Sequence, residues 1–169
     1  AHFAPTKMRM NILQRRDDIT ILNDTYNANP QSMRAAISVL SDRRSQWSIA
    51  VLGDMFELGP FAPALHTGVG ECLGKARIDC LVAVGELAEH IAQGARNSGV
   101  PLVYHCKDKA EAKPVLDQLV RPGSTILVKA SRGMELEELT AYLLSITPEE
   151  LNTIAGQSQR SYSIASRCG

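Results

Sequence analysis

Five short apolar runs, rich in β-branched residues, alternate with helical segments along this chain. Each run is built around consecutive apolar residues, which is typical of strands that helices cover on both faces. Strands separated by a helix at this spacing pair in parallel through right-handed crossovers. The predicted strands span residues 19–23, 48–55, 80–85, 101–105 and 124–131. The alternation therefore predicts an α/β fold, doubly wound, with a mostly parallel sheet and helices on both faces.

The first helix has the clearest local signals. Its apolar residues recur at one helical face, at Met33, Ala36, Ile37 and Leu40. Asn29 is a predicted N-cap, and Pro30 suits the first helical position, where an N–H has no partner to lose. Further helices are predicted over residues 62–76, 86–97, 109–120 and 136–144. Residues before Ile19 are expected to be extended, with no strand assigned to them.

Length and composition limit the organisation of the chain. The 169 residues are enough for one domain with a sizeable core, which we expect over residues 1–146. From residue 147 the sequence is polar and rich in serine, without periodicity. This composition predicts a loose tail over residues 147–169.

Charge and cysteine content narrow the classes of function. The formal net charge is zero, which argues against a nucleic-acid-binding surface and against a polybasic membrane anchor. No apolar run approaches the ~18 residues that a membrane span needs. The four cysteines form no C-x-x-C pair, so we expect reduced thiols in a cytoplasmic protein and no metal site.

Three polar segments follow predicted strands, at residues 23–30, 53–59 and 129–134. Ligands of doubly wound sheets bind at the carboxyl ends of the strands. The position of these segments therefore indicates a ligand site at that edge.

The first segment, NDTYNANP, allows two interpretations. Asp24 could accept hydrogen bonds from ribose hydroxyls, and the amide of Asn27 could both donate and accept. The following helix N-terminus favours an anion. Capping by Asn29 with an Asx-turn at Asp24 would explain the same residues without a ligand. The residues by themselves leave both interpretations open.

The third segment places Lys129, Ser131 and Arg132 after a strand and before a helix. Two cations and a hydroxyl at this edge could hold a carboxylate, which arginine binds in a bidentate manner. A solvated loop whose serine caps the next helix is the alternative. The clustering of three such groups favours a ligand.

Two other features suggest chemistry less strongly. The stretch GVGECLGKA, residues 68–76, has neither phosphate-loop nor G-x-G-x-x-G spacing, and it lies inside a predicted helix. His66 follows the second polar segment, but a lone histidine on a helix is more often structural than catalytic.

Together these segments resemble a known family. NDTYNANPQSMRAAISVL, then AVLGDMFELG with His66 a short way on, then VKASRGMELEEL have the order and spacing of the C-terminal domain of the Mur ligases. The resemblance extends from residue 3 to residue 144. It implies a Rossmann-like sheet, and it is greatest to members that add D-alanyl-D-alanine to UDP-N-acetylmuramoyl-tripeptide in peptidoglycan precursor synthesis.

The resemblance implies an ATP-dependent amide-forming ligase. ATP phosphorylates the tripeptide carboxylate, and the amino group of D-alanyl-D-alanine attacks the acyl phosphate. In the family, an N-terminal domain holds the UDP end, and a central domain carries the phosphate loop and the Mg²⁺ ligands. Neither is found in this sequence, so we expect the fragment to be inactive without them, with ATP and Mg²⁺ held mainly elsewhere.

The resemblance also implies roles for individual residues. Arg9 resembles the arginine that reaches the ATP phosphates. Asp24 resembles the aspartate that accepts from the ribose, and Tyr26 and Asn27 resemble residues near the nucleoside. The family's K-G-S-R stretch, which faces the incoming amino-acid substrate, matches Lys129, Ser131 and Arg132, with Ala130 in place of the glycine. The alternative function is a non-catalytic binding module for a small anion or a protein partner.

Overall fold

The computed structural model describes residues 10–44 and 46–147. Within them, six strands form one sheet in the order β1-β2-β6-β3-β4-β5. β1 pairs with β2 in antiparallel fashion, and every other neighbouring pair is parallel. The predicted α/β fold with a mostly parallel sheet is confirmed. The strands are β1 (Asn11–Gln14), β2 (Thr20–Asp24), β3 (Trp47–Gly53), β4 (Cys80–Val84), β5 (Leu102–Cys106) and β6 (Ser124–Lys129).

Five α-helices connect or follow these strands within the same residues, and each lies where the sequence predicts a helix. Two short 3-10 turns, Gly59–Phe61 and Arg132–Met134, lie in the loops after β3 and β6. The α-helices are α1 (Pro30–Arg43), α2 (Ala62–Lys75), α3 (Ala88–Asn97), α4 (Lys109–Leu119) and α5 (Glu137–Ser145).

Two apolar layers cover the two faces of the sheet. Successive residues of a strand point to opposite faces: in β3, Ile49 and Val51 join the layer with α4 and α5, while Ala50 and Leu52 join the layer with α1, α2 and α3. The central strands β4 and β6 are buried along their whole length. This two-sided burial accounts for the consecutive apolar residues in each strand, although β6 also contains polar residues such as Lys129.

β1 is a strand that the sequence analysis did not assign. It has four residues, three of them exposed, so no apolar run marks it. It exists because its backbone pairs with β2, from Asn11 opposite Asn23 to Gln14 opposite Thr20. A short antiparallel edge strand of this kind leaves little sequence signal.

Glycines allow α2 and α3 to pack backbone against backbone. A Cβ added at Gly70 would lie 2.1 Å from the carbonyl oxygen of Ile91, and one added at Gly94 would lie 2.1 Å from that of Thr67. The stretch of residues 68–76 is therefore helix and helix contact. Gly70 serves packing, as expected for a segment without phosphate-loop spacing.

Two further findings concern the predicted C-terminal tail and the search for membrane-spanning helices. The predicted tail lies, apart from Thr147, outside the described residues. Among the residues that are described, none of the helices is long and apolar enough to cross a membrane.

Candidate functional site at the carboxyl edge of the sheet

The topology brings the three polar segments to one edge. β6 enters the sheet between β2 and β3, so the carboxyl ends of these three parallel strands are neighbours. In the register, Lys129 at the end of β6 lies opposite Asp24 of β2 and Leu52 of β3. The three polar segments thus lie side by side along one rim of the sheet.

Part of the first segment serves the helix that follows it. Asn29 Oδ1 accepts a hydrogen bond from Ser32 N at 2.8 Å, and Ser32 Oγ accepts one from Asn29 N at 3.0 Å, forming a reciprocal capping box. Asn27 Oδ1 accepts from Ala28 N at 2.8 Å. Capping therefore explains the side-chain oxygen of Asn29, and a local bond occupies the side-chain oxygen of Asn27, but neither involves Asp24.

Asp24 is paired with a lysine from the third segment. Lys129 Nζ lies 2.9 Å from Asp24 Oδ2 and donates to the carbonyl oxygen of Asn27 at 2.8 Å. The Lys129 side chain is only 2% exposed, and that of Asp24 is 15% exposed. Burial with both an ion pair and a backbone acceptor is the arrangement that a lysine requires in a protein interior.

A cavity of about 680 Å³ opens beside this pair. Its volume lies within the range of small-molecule sites, roughly 300–1,000 Å³. Tyr26 lies on its wall and is half exposed. The second oxygen of Asp24 accepts no hydrogen bond from any described residue, so it is available to a donor in the cavity. The lining residues are Met10, Asp24, Tyr26, Asn27, Asn29, Gln31, Ser32, Ala35, Ala36, Val39 and Lys129.

Ser131 turns toward the second polar segment. Its Oγ accepts from Phe56 N at 2.8 Å, and its backbone N donates to the Asp54 carbonyl at 3.0 Å. The Ser131 hydroxyl keeps its own proton free to donate, because the bond from Phe56 uses a lone pair. Ser131 therefore joins the loops that follow β3 and β6.

Arg132 is the exposed cation of the third segment. Its side chain is 57% exposed, and its Nη1 lies 2.6 Å from Glu137 Oε1 at the start of α5. An exposed pair of this kind contributes little to stability, and most of the guanidinium remains accessible. The three predicted substrate-binding residues are thus divided: Lys129 is buried beside the first segment, while Ser131 and Arg132 belong to the other side of the rim.

His66 forms a hydrogen bond with the backbone of the loop after β3. It is fully buried; its Nε2 accepts from Met55 N at 3.0 Å, and its Nδ1 lies 2.6 Å from the Ala62 carbonyl. A ring nitrogen that accepts an N–H cannot carry a proton, so the imidazole is neutral and donates through Nδ1. Burial lowers the pKa of His66 below its ordinary value of 6.5 and is the largest influence on it.

The three segments match a known family. Residues 8–132 match the family described as Mur ligase, glutamate ligase domain. This chain belongs to that family.

Individual relatives agree with this assignment of the Mur ligase domain. UDP-N-acetylmuramoyl-tripeptide–D-alanyl-D-alanine ligase of Bacillus subtilis is 35% identical over 141 residues, which cover 82% of this chain and 31% of the relative. A crystal structure of MurF from Acinetobacter baumannii has a TM-score of 0.74 at 35% identity and covers 86% of this chain and 32% of that one. MurF ligase from Thermotoga maritima in complex with ADP has a TM-score of 0.67 at 25% identity and covers 90% of this chain and 33% of that one. This chain therefore spans about a third of the length of each of these proteins.

Two expectations remain, the role of Arg9 and the absence of a metal site. Arg9, expected to reach the ATP phosphates, lies outside the described residues. Across residues 10–44 and 46–147, no group of three or more His, Cys, Asp or Glu side chains could hold a metal ion.

One of the thiols, Cys80, is buried in the sheet, and this burial raises the pKa of the thiol to about 12.

Sequence reasoning left two parts of the site without an explanation. The bond between His66 and Met55 N has only one sequence signal, the position of a histidine shortly after the second polar segment. The Asp24–Lys129 pair joins residues 105 positions apart. No local pattern connects such residues, and only the parallel pairing of β2 with β6 does.

Proposed function

We propose that this chain is the C-terminal domain of an ATP-dependent ligase that adds D-alanyl-D-alanine to UDP-N-acetylmuramoyl-tripeptide in the cytoplasm. The observation that carries the proposal is the 35% identity over most of this chain to a Bacillus subtilis protein of that name. Because this chain spans 31% of that relative, the reaction requires further domains of the same enzyme. Those domains hold the UDP end of the substrate, most of the ATP polyphosphate and Mg²⁺.

The cavity residues fit a nucleoside. The unengaged oxygen of Asp24 suits a ribose hydroxyl, which donates to a carboxylate. The exposed ring of Tyr26 offers an apolar face with a polar tip. The side-chain oxygen of Asn27 already accepts from Ala28 N, which leaves the amide nitrogen to donate to a ligand. These are the residues that would hold the nucleoside part of ATP in this domain.

We assign Mg²⁺ to the central domain of the enzyme, as the resemblance to the Mur ligases implies. Within the described residues, no group of three or more His, Cys, Asp or Glu side chains could hold a metal ion. The carboxylate that lines the cavity, Asp24, is already paired with Lys129. Arg9 is proposed as the cation that this domain contributes to the phosphates.

ATP supplies the phosphoryl group that activates the tripeptide carboxylate, and the residues of this domain position the reactants. Arg132 can bind the carboxylate of D-alanyl-D-alanine through its exposed guanidinium. The Ser131 hydroxyl is nearly buried but keeps its proton, so it can donate to the same substrate when that substrate lies directly against the loop. Positioning an amine against an activated carboxyl group is where such a domain contributes most to the rate.

The rim also presents aromatic surface that suits packing against other domains. Phe56 and Phe61, in the loop after β3, are 43% and 69% exposed. Large exposed apolar side chains near a ligand site are typical of contact surfaces. We infer that the other domains of the enzyme pack against this rim.

The proposal is tested by separating the domains. Calorimetric titration of this chain alone with magnesium-ATP should show weak or no binding, because most phosphate contacts lie elsewhere. Addition of the missing domains in trans should restore ATP hydrolysis that depends on D-alanyl-D-alanine. Tight binding of magnesium-ATP to the chain alone would contradict the proposal and would favour an independent binding module.

A further inference from the structure

We propose that Lys129 is a positioning residue for the nucleotide side of the site, and that it does not bind the incoming dipeptide. This inference rests on the proposed ligase function. It departs from the expectation that Lys129 acts together with Ser131 and Arg132 on the amino-acid substrate.

The position of the ammonium group is the first argument. Two of its three N–H bonds have partners, Asp24 Oδ2 at 2.9 Å and the Asn27 carbonyl at 2.8 Å. The side chain is 2% exposed, so it offers almost no surface to a solvent-borne substrate. The third N–H belongs to the same buried group, so a dipeptide carboxylate could reach it only through the small part of the side chain that the cavity exposes.

The consequence for Asp24 is the second argument. The ion pair holds one carboxylate oxygen in place and leaves the other for a donor in the cavity. It also supplies a positive charge beside the Asp24 carboxylate, at a cavity proposed to receive part of an anionic nucleotide.

The backbone contact is the third argument. The bond from Lys129 to the Asn27 carbonyl fixes the turn that carries Tyr26 and Asn27. One buried ammonium group thus contacts two residues of the nucleotide site, Asp24 and Asn27, which lie on either side of Tyr26 in the chain. A side chain that contacts a ligand is placed more accurately when a second residue holds it than when only solvent surrounds it.

Arg132 supplies the contrast. Its side chain is 57% exposed against 2% for Lys129, and its partner Glu137 holds only Nη1. A substrate carboxylate can reach the rest of this guanidinium without breaking a buried pair. The two cations of the third segment therefore serve different substrates.

The test is steady-state kinetics on the full-length ligase carrying Lys129→Met, with Arg132→Ala as the matched variant. Lys129→Met should raise KM for ATP about tenfold or more, the loss expected when a charged hydrogen-bond partner is misplaced. Its KM for D-alanyl-D-alanine should stay within about twofold of wild type. Arg132→Ala should show the reverse pattern. A raised dipeptide KM with unchanged ATP KM in Lys129→Met would overturn the inference.

A double-mutant cycle distinguishes positioning from a general structural effect. In an Asp24→Asn background, Lys129→Met should add less than about twofold to the ATP KM, because the group through which it acts is already lost. Independent, multiplicative effects would refute action through Asp24.

The same double variant covers the case in which Lys129→Met does not fold. It removes both charges of the pair, which proteins tolerate better than the loss of one partner, and its dipeptide KM should match that of Asp24→Asn alone. A dipeptide KM raised further would overturn the inference. A wild-type enzyme that makes no product from ATP, tripeptide and dipeptide would refute the proposed function instead.

Discussion

Replacing Gly70 by alanine should destabilise this domain, whereas the same change at Gly68 should not. Both glycines lie inside α2. A Cβ at Gly70 would lie 2.1 Å from the Ile91 carbonyl oxygen and 2.7 Å from Ala95 N, both backbone atoms of α3. A Cβ at Gly68 would meet only the end of the flexible Arg34 side chain, at 3.4 Å.

The expected magnitudes follow from these distances. Alanine in place of glycine inside a helix gains about 1 kcal/mol, so Gly68→Ala should be stabilising by up to that amount. At Gly70 the helices must move apart, and overpacking of this kind costs about 1–3 kcal/mol or more. The clash is with backbone, so we expect the upper end of that range and a net loss of about 2 kcal/mol for Gly70→Ala. The two variants should then differ by about 3 kcal/mol in the free energy of unfolding, or roughly 6–12 °C in Tm.

The assay is urea unfolding of this chain followed by circular dichroism. Gly68→Ala and Gly70→Ala should shift the midpoint in opposite directions, with the same dependence on urea as the wild type. Equal stabilities of the two variants would refute the reasoning that close backbone contact between α2 and α3 requires glycine.

Two further predictions concern the site. Because burial lowers the pKa of His66 in the folded chain, the unfolded chain takes up a proton at this histidine first as the pH drops. The contribution of His66 to the free energy of unfolding should therefore be fully present above about pH 6.5 and be lost as the pH falls below that value. Urea titrations of the wild type and of His66→Asn should show that the variant lacks this part of the fall. Lys129→Met should lower the free energy of unfolding by about 3 kcal/mol, because it leaves the mostly buried Asp24 carboxylate without its cation. The double variant Asp24→Asn/Lys129→Met should lose clearly less stability. Thermal unfolding of the two variants checks this, and an equal loss in both would contradict the importance of the pair.

The parts that sequence reasoning predicted correctly are governed by local chemistry. The α1 helix is marked by Asn29, by Pro30 and by apolar residues on one face, all within fifteen positions. The central strands are marked by consecutive apolar residues. Since parallel strands in a doubly wound sheet have their carboxyl ends at one edge, the convergence of the three polar segments followed from the order of the elements.

The amino-acid sequence by itself determined the layered α/β architecture, the helix that follows the first polar segment, and the edge at which a ligand would bind. These depend on hydrophobic periodicity and on caps, which act over a few residues. Only the tertiary structure decided which polar groups meet. Lys129 reaches Asp24 across 105 positions, Gly70 is required because α3 approaches α2 closely, and β1 forms only because β2 offers a partner. Contacts of this kind arise from strand order and helix packing, since residues far apart in the chain become neighbours only when the whole sheet has formed.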